Sequence, residues 1–155
     1  MKFSTKEDIE VPIEACFDMV TDFEVYERAG LRRGADVVRV DSLRQPGVGA
    51  AWNVKADFRG RTRKFDIEVA EYDAPSKINV GAQSGGMLAG VLVELVALSP
   101  NRTRMRVELD VKPKTLSARL LLQSAKLARN RLNKRYKNRV AHFAADLEER
   151  HKRRA

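Results

Sequence analysis

One cysteine, two histidines and an aromatic content of 6 % remove several chemistries before any pattern is considered. A lone Cys16 excludes an internal disulfide and a cysteine-built metal centre; on the apolar face of a short helix it is a small buried residue. His142 and His151 both fall near the C-terminal end with no second ligand type at metal spacing, so neither a metal nor a bound cofactor is expected. No apolar run approaches the ~20 residues that a bilayer span needs. The opening MKFSTKEDIEV has no apolar signal region before its first acids, so a soluble, cytoplasmic protein is expected. Glycine and proline are missing altogether after Pro113, which leaves the last quarter of the chain free to form uninterrupted helix.

That last quarter organises the rest. Leu116 to about Glu149 is rich in alanine, leucine, lysine and arginine, and propensity and pattern agree on one long helix. Leu121, Ala125, Ala128, Leu132, Tyr136, Val140, Phe143, Ala144 and Leu147 recur three or four apart and form a single apolar stripe that needs a covering surface. The net charge of +9 is concentrated here. Lys114 to Ala155 holds thirteen Lys and Arg against three acids, a net +10, and the remainder holds seventeen against eighteen, a net −1. Such asymmetry fits either a solvated helix face or an anionic partner, namely RNA, a ribosome or an anionic membrane surface. Lys126, Arg129, Arg131, Lys134, Arg135, Lys137 and Arg139 would form that patch. No helix-turn-helix, zinc finger or interleaved aromatic surface supports sequence-specific nucleic-acid recognition.

Before the helix, the pattern is mostly alternating. Phe3 to Val11 suits a first strand. Pro12 then starts a short helix to about Thr21, and Asp22 caps a second, Phe23 to Arg28, ended by Gly30. Ala35 to Leu43 reads as a strand. Trp52, Val54, Ala56 and Phe58 alternate with polar residues, as do Phe65, Ile67 and Val69 on the return from the Gly60–Arg61 turn. Strands carrying Ile78 and Val80, then Met87 to Leu98, then Met105 to Val111 follow, separated by short turns that make them antiparallel neighbours. The glycine-rich SGGMLAG lacks a phosphate-loop lysine and leads into a strand, so it is a turn or bulge. With 155 residues, 43 % of them hydrophobic, the chain is read as one domain over residues 1–155, with 150–155 as a flexible basic tail. The protein is expected to be a monomer or a homodimer, the latter through the apolar outer face of Met87 to Leu98.

IEVPIEACFDMVTDFEVYERA, with Asp22 and Tyr26, PGVGAAWNV, EYDAPSKINV and LDVKPKTLSARLLL stand in the order found in the START-like (SRPBCC, polyketide cyclase/dehydrase-like) superfamily, and the chain resembles its bacterial members of unknown function. That resemblance implies an α+β helix-grip fold: a curved antiparallel sheet of about seven strands wrapped around a long C-terminal helix, with two short helices after the first strand. It also implies a hydrophobic tunnel between sheet and helix that holds a small ligand such as a lipid, quinone or aromatic polyketide. Trp52, Val54, Phe58, Phe65, Ile67, Val80, Val93, Leu121, Ala125, Ala128 and Leu132 are expected to line or border it, although ordinary core packing accounts for each of them equally well. Tyr26 is followed by Glu27, Arg28, Ala29 and Gly30, without the proline-rich, aromatic continuation of the quinone-chaperone and ribosome-associated branches.

An enzyme of the cyclase or dehydratase type is the alternative. It needs polar side chains converging inside the tunnel, and Glu94, Asn53 and Asn79 are the candidates. Glu94, flanked by Val91, Leu92, Val93, Leu95 and Val96, either pairs outward with a cross-strand arginine such as Arg106 or points inward with a raised pKa. A Ser-His-Asp triad would require His142, too far along the helix from the centre of the tunnel. An interaction module docking its basic helix is a third reading.

Overall fold

The computed structural model describes residues 1–154. Seven antiparallel strands, β1 (Lys2–Ile9), β2 (Asp36–Arg39), β3 (Ala51–Phe58), β4 (Arg61–Asp73), β5 (Lys77–Ser84), β6 (Met87–Ser99) and β7 (Arg102–Pro113), form one sheet in the order β1-β7-β6-β5-β4-β3-β2. Helices α1 (Ile13–Val20) and α2 (Phe23–Arg32) follow β1, and α3 (Leu116–Lys126) and α4 (Arg129–Arg154) close the chain. The expected α+β helix-grip architecture is present. No helix among the described residues is long and apolar enough to cross a membrane.

Alternation decides which side of the sheet faces the helices. Trp52 is opposite Ile67 and Ile67 opposite Ala82, while Ile78 is opposite Val93 and Val93 opposite Val107. Directly paired residues share a face, so these apolar side chains build one continuous inner surface. Asn53, Asp66, Glu68, Glu94, Arg106 and Glu108 occupy the outer surface by the same register.

The inner surface has two halves. At one end Ile9, Val11, Cys16, Phe17, Met19, Leu95, Met105 and Leu147 are fully or almost fully buried, and α1 and the C-terminal part of α4 fill the curve of the sheet. Thr103 and Thr21 are buried among them, and their hydroxyls donate to Val11 O at 2.8 Å and Phe17 O at 2.7 Å, which satisfies both polar groups. At the other end α2 and the middle of α4 leave the sheet uncovered in part. Phe23 meets Trp52 edge to face with centroids 5.0 Å apart, a geometry aromatic pairs favour.

Three expectations about helices need correction. The terminal helix is not continuous: Leu127 N bonds to Ser124 O and Ala128 N to Ala125 O, and this tightening to i→i−3 bonding separates α3 from α4. The segment from Arg150 is not a tail over its described length, since α4 remains helical to Arg154; Ala155 lies outside the described residues. Gly30 does not end α2 but lies within it. A Cβ there would come within 3.0 Å of Val37 Cγ2, so glycine permits close approach of α2 to β2. The helix stops instead at Gly34, whose φ of 86° is the left-handed conformation that terminates helices cheaply.

The strand expected from Ala35 to Leu43 is confined to Asp36–Arg39 because Asp41 turns the chain. Its carboxylate accepts from Ala51 N at 2.7 Å and Leu43 N at 2.9 Å, and it pairs with Arg39.

Candidate functional site

Between α2, α4 and the inner face of the sheet lies a cavity of 560 Å³, within the range of about 300–1,000 Å³ usual for small-molecule sites. Its floor is Val37 of β2, Trp52 and Val54 of β3, Ile67 of β4, Ile78 and Val80 of β5, Val91 and Val93 of β6 and Val107 of β7. Its roof is Val20, Phe23, Tyr26, Glu27 and Gly30 from the first two helices, with Val140 and Phe143 from α4. Valine dominates because strand positions favour β-branched side chains, and its short side chain leaves the space that leucine or phenylalanine would occupy.

Two polar side chains touch this surface. Tyr26 donates its hydroxyl to Val20 O at 2.7 Å, and burial pushes its phenol well above the usual range, so it stays neutral. Glu27 is partly exposed at the rim. Its Oε1 accepts from Trp52 Nε1 at 3.3 Å and lies 3.9 Å from the Arg39 guanidinium. Arg39 stacks over the Trp52 ring, 4.8 Å from the centroid, a favourable use of a planar cation. The cavity is therefore greasy inside, with one polar corner at its edge.

Five of the eleven residues expected to line the tunnel do so: Trp52, Val54, Ile67, Val80 and Val93. The other six are not brought to it. Phe58 lies on the correct face by alternation but at the exposed end of β3, where Arg59 and Arg63 pack on its ring. Phe65 is half-buried outside the cavity lining. Leu121 is exposed on α3, and Ala125, Ala128 and Leu132 lie around the helix break, half-buried and away from the lining. The cavity sits beneath the middle of α4 rather than beneath the start of the terminal segment.

The polar candidates for catalysis are outside it. Glu94 is on the outer face, and its Oε1 accepts from Arg106 Nε at 3.0 Å and from the second terminal nitrogen of the same guanidinium. The outward pairing holds, and Glu94 does not point into the cavity. Asn53 shares that outer face, and Asn79 donates to Glu71 Oε1 at 3.4 Å there. No group of three or more His, Cys, Asp or Glu among the described residues is placed to hold a metal. A second depression of 710 Å³ lies on the outer face, where Val40, Val48 and Leu88 mix with Asn53, Asp66, Glu68, Gln83, Asp110 and Lys112; it is broad and open to solvent.

The roof residues from α2 were not anticipated. Phe23, Tyr26, Glu27 and Gly30 stand three, four and seven apart, the spacing of one helix face. Ending the helix at Arg28 hides that stripe.

No family model and no curated protein matches the chain. Solved structures do match. A START superfamily protein from Mycobacterium smegmatis is 18 % identical with a TM-score of 0.65, covering 99 % of each chain. The Zhui aromatase/cyclase from Streptomyces sp. R1128 is 12 % identical with a TM-score of 0.65, covering 97 % of this chain and 94 % of that one. An HSP90 activator from Plasmodium falciparum is 22 % identical with a TM-score of 0.53, covering 83 % and 86 %. At these identities the likeness is one of fold, and fold does not fix function.

Proposed function

We propose that this START-like helix-grip domain binds a small, predominantly apolar ligand in the cavity between α2, α4 and the sheet. The observation that carries this reading is the cavity itself: 560 Å³ walled by aliphatic and aromatic side chains, with Glu27 and Tyr26 as its polar members. A ligand suited to it has an apolar body of the kind found in lipids, quinones and aromatic polyketides. Its one polar end is placed at the rim beside Glu27 and Trp52, where a donor meets the free carboxylate oxygen. Burial of the body supplies the affinity, at about 25 cal/mol per Å² of apolar surface, and the rim sets orientation.

A cyclase or dehydratase has less support. Its candidate residues, Glu94, Asn53 and Asn79, face away from the cavity, and Tyr26 already spends its proton on a backbone carbonyl. General acid–base work needs a titratable group within hydrogen-bond reach of the substrate, and Glu27 is the one carboxylate at the rim.

Native mass spectrometry after incubation with a cell lipid extract tests the binding reading. The expected result is a stoichiometric apolar adduct on the wild-type chain that is lost in Val80→Phe, which fills the cavity. An adduct that survives in Val80→Phe, or none in the wild type, would count against it.

A further inference from the structure

Helix α3 is where the rest of the molecule leaves apolar side chains without a partner. Thr115 caps it, its Oγ1 accepting from Ala118 N at 3.1 Å. The cap packs against Gly86, where an added Cβ would lie 2.2 Å from Thr115 Oγ1, so the start of the helix is pinned to the β5–β6 turn. Ala118, Leu122 and Ala125 turn toward the protein. Leu116, Leu120, Leu121 and Leu127 are 71 %, 56 %, 64 % and 92 % exposed. At ~3.6 residues per turn Leu116, Leu120 and Leu127 fall within about 40° of one another, on the side opposite Ala118. None of the four lines the cavity. Scattered exposed leucines are ordinary; a stripe of them on one helix is not.

The charge around this stripe is of one sign. Between Asp110 and Asp146 there is no acidic residue, and ten lysines and arginines occupy the interval. Arg119, Lys126, Arg131, Lys134, Arg135, Lys137 and Arg139 are exposed, and among the described residues none of them is in an ion pair. Arg129 is held apart from this group, its guanidinium donating to Lys2 O at 2.9 Å.

We infer that α3 and the start of α4 form a docking surface for an anionic phospholipid bilayer, with the leucine stripe entering the headgroup boundary and the surrounding cations resting on lipid phosphates. The two features together select this partner. An apolar stripe flanked by lysine and arginine is the composition of helices that lie in a membrane interface, and cations near an anionic leaflet add attraction that decays within a Debye length. RNA would use the cations but offers nothing to aliphatic leucines, since base recognition employs stacking side chains. A second copy of the chain would bury the leucines but would set two cationic surfaces against each other without an acid between them. The inference does not depend on what the cavity holds.

Co-sedimentation of the full chain with vesicles tests it. Binding is expected to vesicles of mixed phosphatidylcholine and phosphatidylglycerol, with none to phosphatidylcholine alone, and release is expected at high salt. Replacing Leu116, Leu120 and Leu127 together with serine is expected to weaken binding by about tenfold or more, because each leucine loses apolar burial. These positions are exposed, so far-ultraviolet circular dichroism should remain native; single Leu127→Ser, at the most exposed site, repeats the test with the least disturbance. Three results would overturn the inference: leucine variants that bind the mixed vesicles as the wild type does, tighter binding to an RNA oligonucleotide than to the vesicles, or self-association that the triple replacement abolishes while vesicle binding is absent.

Discussion

The indole nitrogen of Trp52 donates to Glu27 Oε1 across 3.3 Å, joining β3 to α2 at the edge of the cavity. Trp52 is also the only tryptophan in the chain, so its emission reports on the site alone. Titration with an alkylbenzene, which is wholly apolar, or an alkylphenol, which carries a donor, is expected to quench or blue-shift that emission as water leaves the cavity. Glu27→Gln keeps an acceptor for the indole while removing the charge. It should retain the response to a wholly apolar ligand and weaken binding of one that carries a donor at its polar end. A response identical for both ligands would remove Glu27 from the site.

Filling an existing space has a different cost from opening one. Val80→Phe places extra carbon into a cavity instead of a packed core, so the usual overpacking penalty of about 1–3 kcal/mol should be largely absent. The expected outcome is a thermal midpoint close to that of the wild type, and a loss of several kcal/mol would mean that the space is not available in solution.

The two terminal helices should differ sharply in what they contribute to stability. Leu147 is fully buried where α4 crosses the filled end of the sheet, whereas Leu121 is exposed on α3. Leu147→Ala is expected to cost about 2–5 kcal/mol in denaturant unfolding, and Leu121→Ala less than about 0.5 kcal/mol. Equal losses would contradict the division at Leu127.

Acid should weaken the chain through Asp41. Hydrogen bonds from Arg39, Ala51 and Leu43 hold its carboxyl well below the ordinary value of 3.8. The unfolded chain takes up this proton first as pH drops, so the contribution of Asp41 is complete above about pH 4 and is lost progressively below it. Asp41→Asn should flatten that acid limb in urea midpoints measured against pH.

On the alkaline side the buried Cys16 thiol is pushed up from 9.0 to about 11. In the unfolded chain it ionises earlier, so its contribution is complete below pH 9 and falls away as pH rises toward 11; Tyr26, shifted upward by burial, acts in the same direction. Cys16→Ala should reduce the alkaline slope. A thiol reagent should modify native Cys16 only slowly, since the thiolate is the reactive species, and rapid modification without unfolding would show that this end of the molecule is open.

Much of the sheet is legible in the sequence because alternation is a local property. Trp52 and Val54, Ile67 and Val69, and Met105 to Val111 declare their inner face by parity alone. Parity does not say how far the covering layer reaches, which is why Phe58 has the right face and the wrong surroundings. The break at Leu127 has no glycine or proline to announce it, and the inward positions Leu122, Ala125, Tyr136 and Val140 keep helical phase across it, so a single helix is the natural expectation. For Glu94, opposite Arg106 in the register, the outward alternative follows from pairing across two adjacent strands. The α2 face of the site was recoverable from spacing; the glycine within that helix hid it, because helix ends and close approaches use the same residue.

β1 lies beside β7, running from Lys2 opposite Asp110 to Ile9 opposite Thr103, although five other strands and the first two helices lie between them in the chain. The other strands are hairpin neighbours and can pair as they are made, whereas this last ladder requires closing a long loop, an entropic cost that slows folding. α4 packs on β1, so the roof over the cavity depends on the same late event. A chain that had not yet reached β7 would carry β1 with nothing to zip against, and the pocket would come into being only when β1 and α4 are both in place.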